Sequence, residues 1–260
     1  MRILAIGDVV GKPGRRAVAA LVPALRDELR IDAVIANGEN AAAGRGLTPK
    51  TADELFKGGV DIITSGNHIW DQREIIPQLD SDDRIIRPAN YPQDVPGRGA
   101  TSFGSLTILN LMGRTFMYEI DDPFRAADRL LADVPASQAI IVDMHAEATS
   151  EKIAMGWYLD GRVAAVFGTH THVPTADTRL LPKGTAFVCD LGMCGPRDAI
   201  IGVEPDAVLR KFLTGMPAKF TVPERPQFVQ FNAVLIDIDD ATRRARTIER
   251  VDREWEHHAE

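Results

Sequence analysis

Short aliphatic runs alternate with amphipathic stretches through the first third of the chain, and no other feature constrains the fold as tightly. Residues 3–6 (ILAI), 33–36 (AVIA) and 61–64 (DIIT) are followed closely by Gly or Asn, the pattern of strands buried on both faces. Between the first two, Val18, Leu21, Val22, Leu25 and Leu29 recur at helical spacing, and Pro23 is expected to kink that helix. Between the second and third, Thr48-Pro49 reads as an N-cap followed by a proline in the first turn, opening a helix through Phe56. A βαβαβ start of this kind lays parallel strands side by side with right-handed crossovers. Further strands are predicted at 106–111, 140–144, 163–167, 186–189 and 228–238. The last of these and the tail 243–253 alternate polar and apolar residues in places, which predicts an antiparallel or mixed C-terminal half. The Pro- and Gly-rich segment 88–99 (PANYPQDVPGRG) reads as a surface loop, too short to separate domains. With no linker, repeat or low-complexity tract, residues 1–260 are expected to form a single domain.

Composition narrows the partners. A net charge of −7 lacks the basic stripe that binding a long nucleic acid demands, although a single nucleotide remains compatible with it. No apolar run approaches the roughly 20 residues needed to cross a bilayer, and the N-terminal MRILAIGDVV has neither a long apolar core nor an A-x-A site, so a cytoplasmic protein is expected. Cys189 and Cys194 stand in C-x4-C with no second pair, which suggests buried reduced thiols rather than a disulfide or a zinc knuckle. Nothing in the sequence excludes a homo-oligomer.

The polar residues then fall into a pattern. Asp8 follows the first strand, Glu39 and Asn40 the second, Asn67 and His68 the third, His145 the fourth of interest, IIVDM, and His170 and His172 the run VAAVF. All sit at the carboxyl ends of predicted strands, where open α/β sheets place ligands. The remaining histidines, His257 and His258, lie in the charged tail EWEHHAE and read as solvated. Carboxylates, carboxamides and imidazoles without a thiolate suit borderline or hard divalent ions. They are too many for one tetrahedral ion. Two ions about 3.5–4 Å apart, bridged by a carboxylate and a hydroxide, would use them. In an extended segment residues i and i+2 point the same way, so His170 and His172 are expected to reach adjacent ions from one loop. Any one of these histidines alone is as readily a hydrogen-bonded core or loop residue; the whole set is not.

The blocks GDVVG at 7–11, NGEN at 37–40, SGNH at 65–68, DMHAEATSEK at 143–152 and GTHTHVPT at 168–175 resemble those of the calcineurin-like metallophosphoesterases, and more closely the YmdB-like bacterial phosphodiesterases. The resemblance implies a four-layer α/β/β/α sandwich of two mixed sheets with a dinuclear site at their strand ends. It implies hydrolysis of small phosphoesters, 2′,3′-cyclic nucleotides characteristically, by a metal-bridging hydroxide. Carried over by position, Asp8 and His172 hold the first ion, Glu39 bridges, Asn67, His145 and His170 hold the second, and His68 protonates the leaving oxygen. The wider superfamily begins with Asp-x-His, whereas Val10 stands here; Asn40 resembles the replacement ligand of the YmdB-like branch. Glu39 also stands where the superfamily usually has Asp. Iron, manganese and zinc all accept this ligand mix.

Other motifs are weaker. Gly7 to Lys12 is G-x3-G-K before a proline and fails the phosphate-loop spacing. SGNH lacks the GDS nucleophile block of the esterases named for those letters, and G-x-S-x-G is absent. His145-Ala-Glu147 mimics H-x-E of zinc deaminases without their P-C-x-x-C. Thr149, Ser150 and Glu151 read as a helix cap before substrate contact, and Lys12, Arg15 and Arg16 read equally as phosphate contacts or as a solvated helix start. The alternative to an enzyme is a metal-containing regulatory or nucleotide-sensing protein acting through a partner with little turnover.

Overall fold

The βαβαβ start forms as its periodicity requires. In the computed structural model, which describes residues 1–256, β1 (Arg2–Ile6) is followed after Gly7 by the short β2 (Asp8–Val9), and α1 (Gly11–Leu29) crosses to β3 (Ala33–Asn37). α2 (Pro49–Lys57) then leads to β4 (Ile62–Thr64). Pro23 lies on the exposed side of α1, which continues through it to Leu29. Thr48 caps α2 as expected: its hydroxyl accepts from Thr51 N, and the Thr51 hydroxyl accepts in return from Thr48 N. After α3 (Ile76–Ser81) the chain forms β5 (Ala100–Phe103), β6 (Leu106–Met112), α4 (Pro123–Asp133), β7 (Ala139–His145), α5 (Thr149–Leu159) and β8 (Ala165–Thr169). It ends with β9 (Arg179–Leu180), β10 (Ala186–Val188), β11 (Met193–Pro196), α6 (Pro205–Thr214), β12 (Phe228–Phe231), β13 (Ala233–Ile238), β14 (Ala245–Arg250) and β15 (Arg253–Glu256).

The strands make mixed sheets in a mixed α/β fold. One has the order β14-β13-β1-β3-β4, a second β5-β6-β7-β8-β10-β9 and a smaller one β15-β12-β11-β2. β1, β3 and β4 are parallel, as are β6, β7, β8 and β10. β12 to β15 pair antiparallel, as the alternating C-terminal pattern implied.

The predicted strand 228–238 is in fact two strands in different sheets, divided at Asn232. Its backbone turns there: Asn232 O accepts from Gly7 N at 3.0 Å, while Asn232 N donates to Met193 O at 3.1 Å. Gly7 divides β1 from β2 at the same level, and a Cβ on it would collide with Gly192 O. The buried positions change parity across Asn232, from Val229 and Phe231 to Val234, Ile236 and Ile238, a slip of one residue that a single unbroken strand does not make.

β1 shows why its run is aliphatic throughout. Leu4 and Ile6 pack with Val18, Val22 and Leu25 of α1 and Leu55 of α2. Ile3 and Ala5 point the other way, into a core shared with Ile108, Ile141 and Phe167 of the second sheet. On that sheet's far side, Val142, Met144 and Val166 pack with Ala126, Ala127, Met155 and Leu159 of α4 and α5. The loop 88–99 is tied down by Arg87, whose buried guanidinium donates to the carbonyls of Pro88, Val95 and Pro96. Cys189 and Cys194 are free and buried, and burial pushes the Cys189 thiol up to about 11. His257 and His258 lie outside the described residues.

Candidate metal centre

The carboxyl ends of strands from two sheets meet over the start of the third. Asp8 begins β2 and is buried; Glu39 and Asn40 follow β3 and are buried; Asn67 and His68 follow β4. His145 is the last residue of β7 and pairs in register with Thr169, the last of β8, after which come His170 and His172. The two loop histidines do not reach the site by the extended-strand geometry the spacing suggested. Both have left-handed backbone conformations, with φ of 101° and 65°, so the chain coils after Thr169 and alternation no longer governs the side chains. Nor do Thr149, Ser150 and Glu151 cap α5: the N-cap is Ala148 without a side-chain bond, and Glu151 accepts from the amides of Arg114 and Thr115. Arg15, weighed as a phosphate contact, is bound to Glu54 and the Ala41 carbonyl.

The donor atoms separate into two groups. His145 Nε2 lies 3.1 Å from Asn67 Oδ1, 3.1 Å from Glu39 Oε1 and 3.0 Å from His170 Nδ1. In the other group, His172 Nε2 lies 3.1 Å from Asn40 Nδ2 and 3.8 Å from Asp8 Oδ1. Glu39 stands between them, 3.4 Å from Asn40 Nδ2 through Oε1. Its Oε2 accepts from His68 N at 3.0 Å. Gly66 makes room for the first group, since a Cβ there would strike the His145 ring and Glu39 Oε2.

The electrostatics of this arrangement call for positive charge. Burial opposes a charged His145, but Glu39 overcomes it, and with Asp8 and Asp143 raises the imidazole to about 9. Burial likewise opposes the Glu39 carboxylate, and His145 holds it down at about 2. Burial, with repulsion from His145, lowers His170 to about 3. Asp8 is raised, chiefly by burial. Its Oδ2 accepts from His170 N at 3.0 Å, whereas among the described residues the buried Oδ1 has no hydrogen-bond partner. An orphaned carboxylate oxygen beside imidazole and carboxamide groups is what a cation would satisfy.

Buried polar residues missed in the sequence hold these side chains in place. Thr169 Oγ1 donates to Asp143 Oδ1 at 2.7 Å and therefore accepts from His145 Nδ1, 2.9 Å away. The Nε2 edge is thereby turned to the cluster. Asp143 Oδ2 also accepts from Thr64 Oγ1 of the other sheet at 2.5 Å, and burial raises its carboxyl to about 6. His68 Nδ1 lies 2.9 Å from Asp71 Oδ2, which also pairs with Arg45 Nε at 3.0 Å. The signal for Asp143 was available, since it stands two residues before His145 on a strand and so shares its face.

A family model for YmdB-like proteins matches residues 4–251. The chain belongs to the YmdB-like family. A relative from Bacillus subtilis (strain 168), named 2′,3′-cyclic-nucleotide 2′-phosphodiesterase, is 50% identical over 256 residues, covering 96% of each chain. The crystal structure of a protein from Thermus thermophilus superposes with a TM-score of 0.91 at 46% identity, covering 98% of this chain and 99% of the other. That of a novel phosphatase from Mycoplasma pneumoniae gives 0.92 at 34% identity, covering 98% and 94%. In this YmdB-like chain Val10, which stands where the wider superfamily has a histidine, is buried and packs towards Gly195 and Gly202 rather than among the donor atoms. Asn40 is the side chain that adjoins His172.

Proposed function

We propose that this chain is a metal-dependent phosphodiesterase that hydrolyses small phosphoesters, 2′,3′-cyclic nucleotides foremost. The observation that carries the reading is the division of the donor atoms into two groups about Glu39, one of them containing the orphaned Asp8 Oδ1. The name of the half-identical Bacillus relative supplies the substrate class.

Asp8, Asn40 and His172 would hold one ion and Asn67, His145 and His170 the other, with Glu39 between them. Iron, manganese and zinc all suit these donors. Turning the Asn40 amide over would present Oδ1 where Nδ2 now stands. Such ions lower the pKa of water towards neutrality and offset the charge of phosphoryl oxygens. The chain's own residues do the rest. Glu39 and Asp8 remain anionic beside the cations, and the buried shell of Thr169, Asp143 and Thr64 keeps His145 in one tautomer and orientation. Asp71 engages His68 through Nδ1 and leaves Nε2 to exchange a proton. As the oxygen of a water that has released one proton to solvent bonds to phosphorus and the P–O2′ bond breaks, His68 would give its own proton to the departing oxygen and be reprotonated from solvent, and a nucleoside 3′-phosphate is released. The packing of helices outside two apposed sheets supports a four-layer α/β/β/α arrangement, and a core continuous from β1 to β14 supports one domain. Among the described residues, no helix is long and apolar enough to cross a membrane.

The test is hydrolysis of bis(p-nitrophenyl) phosphate and of 2′,3′-cyclic AMP with Mn²⁺ and with chelator. Turnover that requires Mn²⁺ is expected, together with preference for the 2′,3′-cyclic over the 3′,5′-cyclic ester. A folded, metal-loaded sample without turnover would replace the enzyme with the regulatory alternative.

A further inference from the structure

Lys152, in DMHAEATSEK, and Thr171, between the two loop histidines, take no part in that chemistry. They meet at Asp190. Lys152 Nζ lies 2.6 Å from Asp190 Oδ2, and both side chains are only 1% exposed. The same Oδ2 accepts from Thr171 Oγ1 at 2.7 Å and from Thr171 N at 3.2 Å, while Oδ1 accepts from Gly192 N at 2.8 Å. The backbone of Asp190 grips the far end of the loop, donating to Thr175 Oγ1 at 2.9 Å and accepting from Thr175 N at 3.1 Å. Gly168 is part of the arrangement, because a Cβ there would lie against Lys152 Cδ and collide with Cys189 O.

This loop carries His170 and His172 in left-handed conformations that residues with a Cβ avoid unless their surroundings enforce them. Anchors at both flanks exist, His170 N on Asp8 and His172 Nδ1 on the Ile201 carbonyl. Between them, Thr171 is held by Asp190. The Asp190 oxygen that holds both Thr171 donors is the one Lys152 Nζ faces, so the ammonium group fixes the carboxylate where it meets Thr171.

We infer that Lys152 and Asp190 form a positioning pair that, with Thr171 as the handle, sets His170 and His172 at once and so couples the affinities of the two cation sites. The inference rests on the ligand roles proposed above. Thr171→Val keeps the shape of the side chain and removes its hydroxyl; Asp190→Asn removes the charge.

The experiment is Mn²⁺ binding to the purified full chain, followed by electron paramagnetic resonance and metal analysis, with histidine ring ¹H–¹⁵N spectra of the metal-free protein. Thr171→Val is expected to weaken both sites together by about 10–100-fold and to shift the His170 and His172 ring signals. Thr171→Ser should restore both. Asn67→Ala, by contrast, should weaken chiefly one site. If Asp190→Asn fails to fold because Lys152 is left buried without its partner, Thr171→Val decides the matter. Wild-type affinity at both sites in folded Thr171→Val would overturn the positioning role while leaving the metal centre intact. If the wild-type chain bound no Mn²⁺, the metal-centre reading itself would fall.

Discussion

Asp8 Oδ1 is the atom on which the centre turns, because a buried carboxylate oxygen without a donor costs free energy that a cation among these imidazole and carboxamide groups recovers. Asp8→Ala is therefore expected to lose chiefly the ion of its own group and Asn67→Ala chiefly the other, measured by metal analysis after dialysis, and activity falls with either. His68→Ala should retain metal and lose about 10²–10⁴-fold in turnover, the range for a placed general acid; full activity would remove His68 from the mechanism. Gly66→Ala places a methyl against His145 and Glu39. The resulting overpacking should lower stability by about 1–3 kcal/mol, and the variant's metal content should fall. At this scale the residues that the structure brings together were legible, since each is a polar residue within a few positions after an aliphatic run. Asp190 follows the run 186–189 in the same way and could have been found by that rule. Thr169 and Thr64 could not, because a hydroxyl at the end of a strand has no sequence signature until its partner is known.

At the scale of elements, the strongest local signals formed as expected. Thr48, Pro49 and Thr51 specify the start of α2 by themselves, since the bonds involved span three residues. Thr48→Ala should cost about 0.5–2 kcal/mol, read as a lower midpoint of chemical denaturation with the metal content unchanged. The failures also have physical causes. The division of 228–238 at Asn232 depends on Gly7 and Met193, distant in sequence. The left-handed turns at His170 and His172 depend on Asp8, Asp190 and Ile201. No window of neighbouring residues contains those partners.

For the whole molecule, the centre joins two sheets through groups that repel or go unsatisfied without a cation, so occupancy should be linked to global stability. Metal at a hundred times its dissociation constant would add about 2.7 kcal/mol per site, a rise in Tm of about 5–10 °C for a chain of this size. Thermal unfolding with Mn²⁺ and after chelation measures it, and an unchanged Tm would contradict the linkage. Sequence alone determined the parallel βαβαβ opening, the mixed C-terminal half and the polar residues carried at strand ends, because strand and helix periods and capping are properties of neighbours. Tertiary structure alone decided that strand ends from two sheets face one another, that the donors divide about Glu39, and that Lys152 and Asp190 grip Thr171. Those facts depend on which distant segments pack together, and the packing is set by the summed burial of the whole core rather than by any stretch of it.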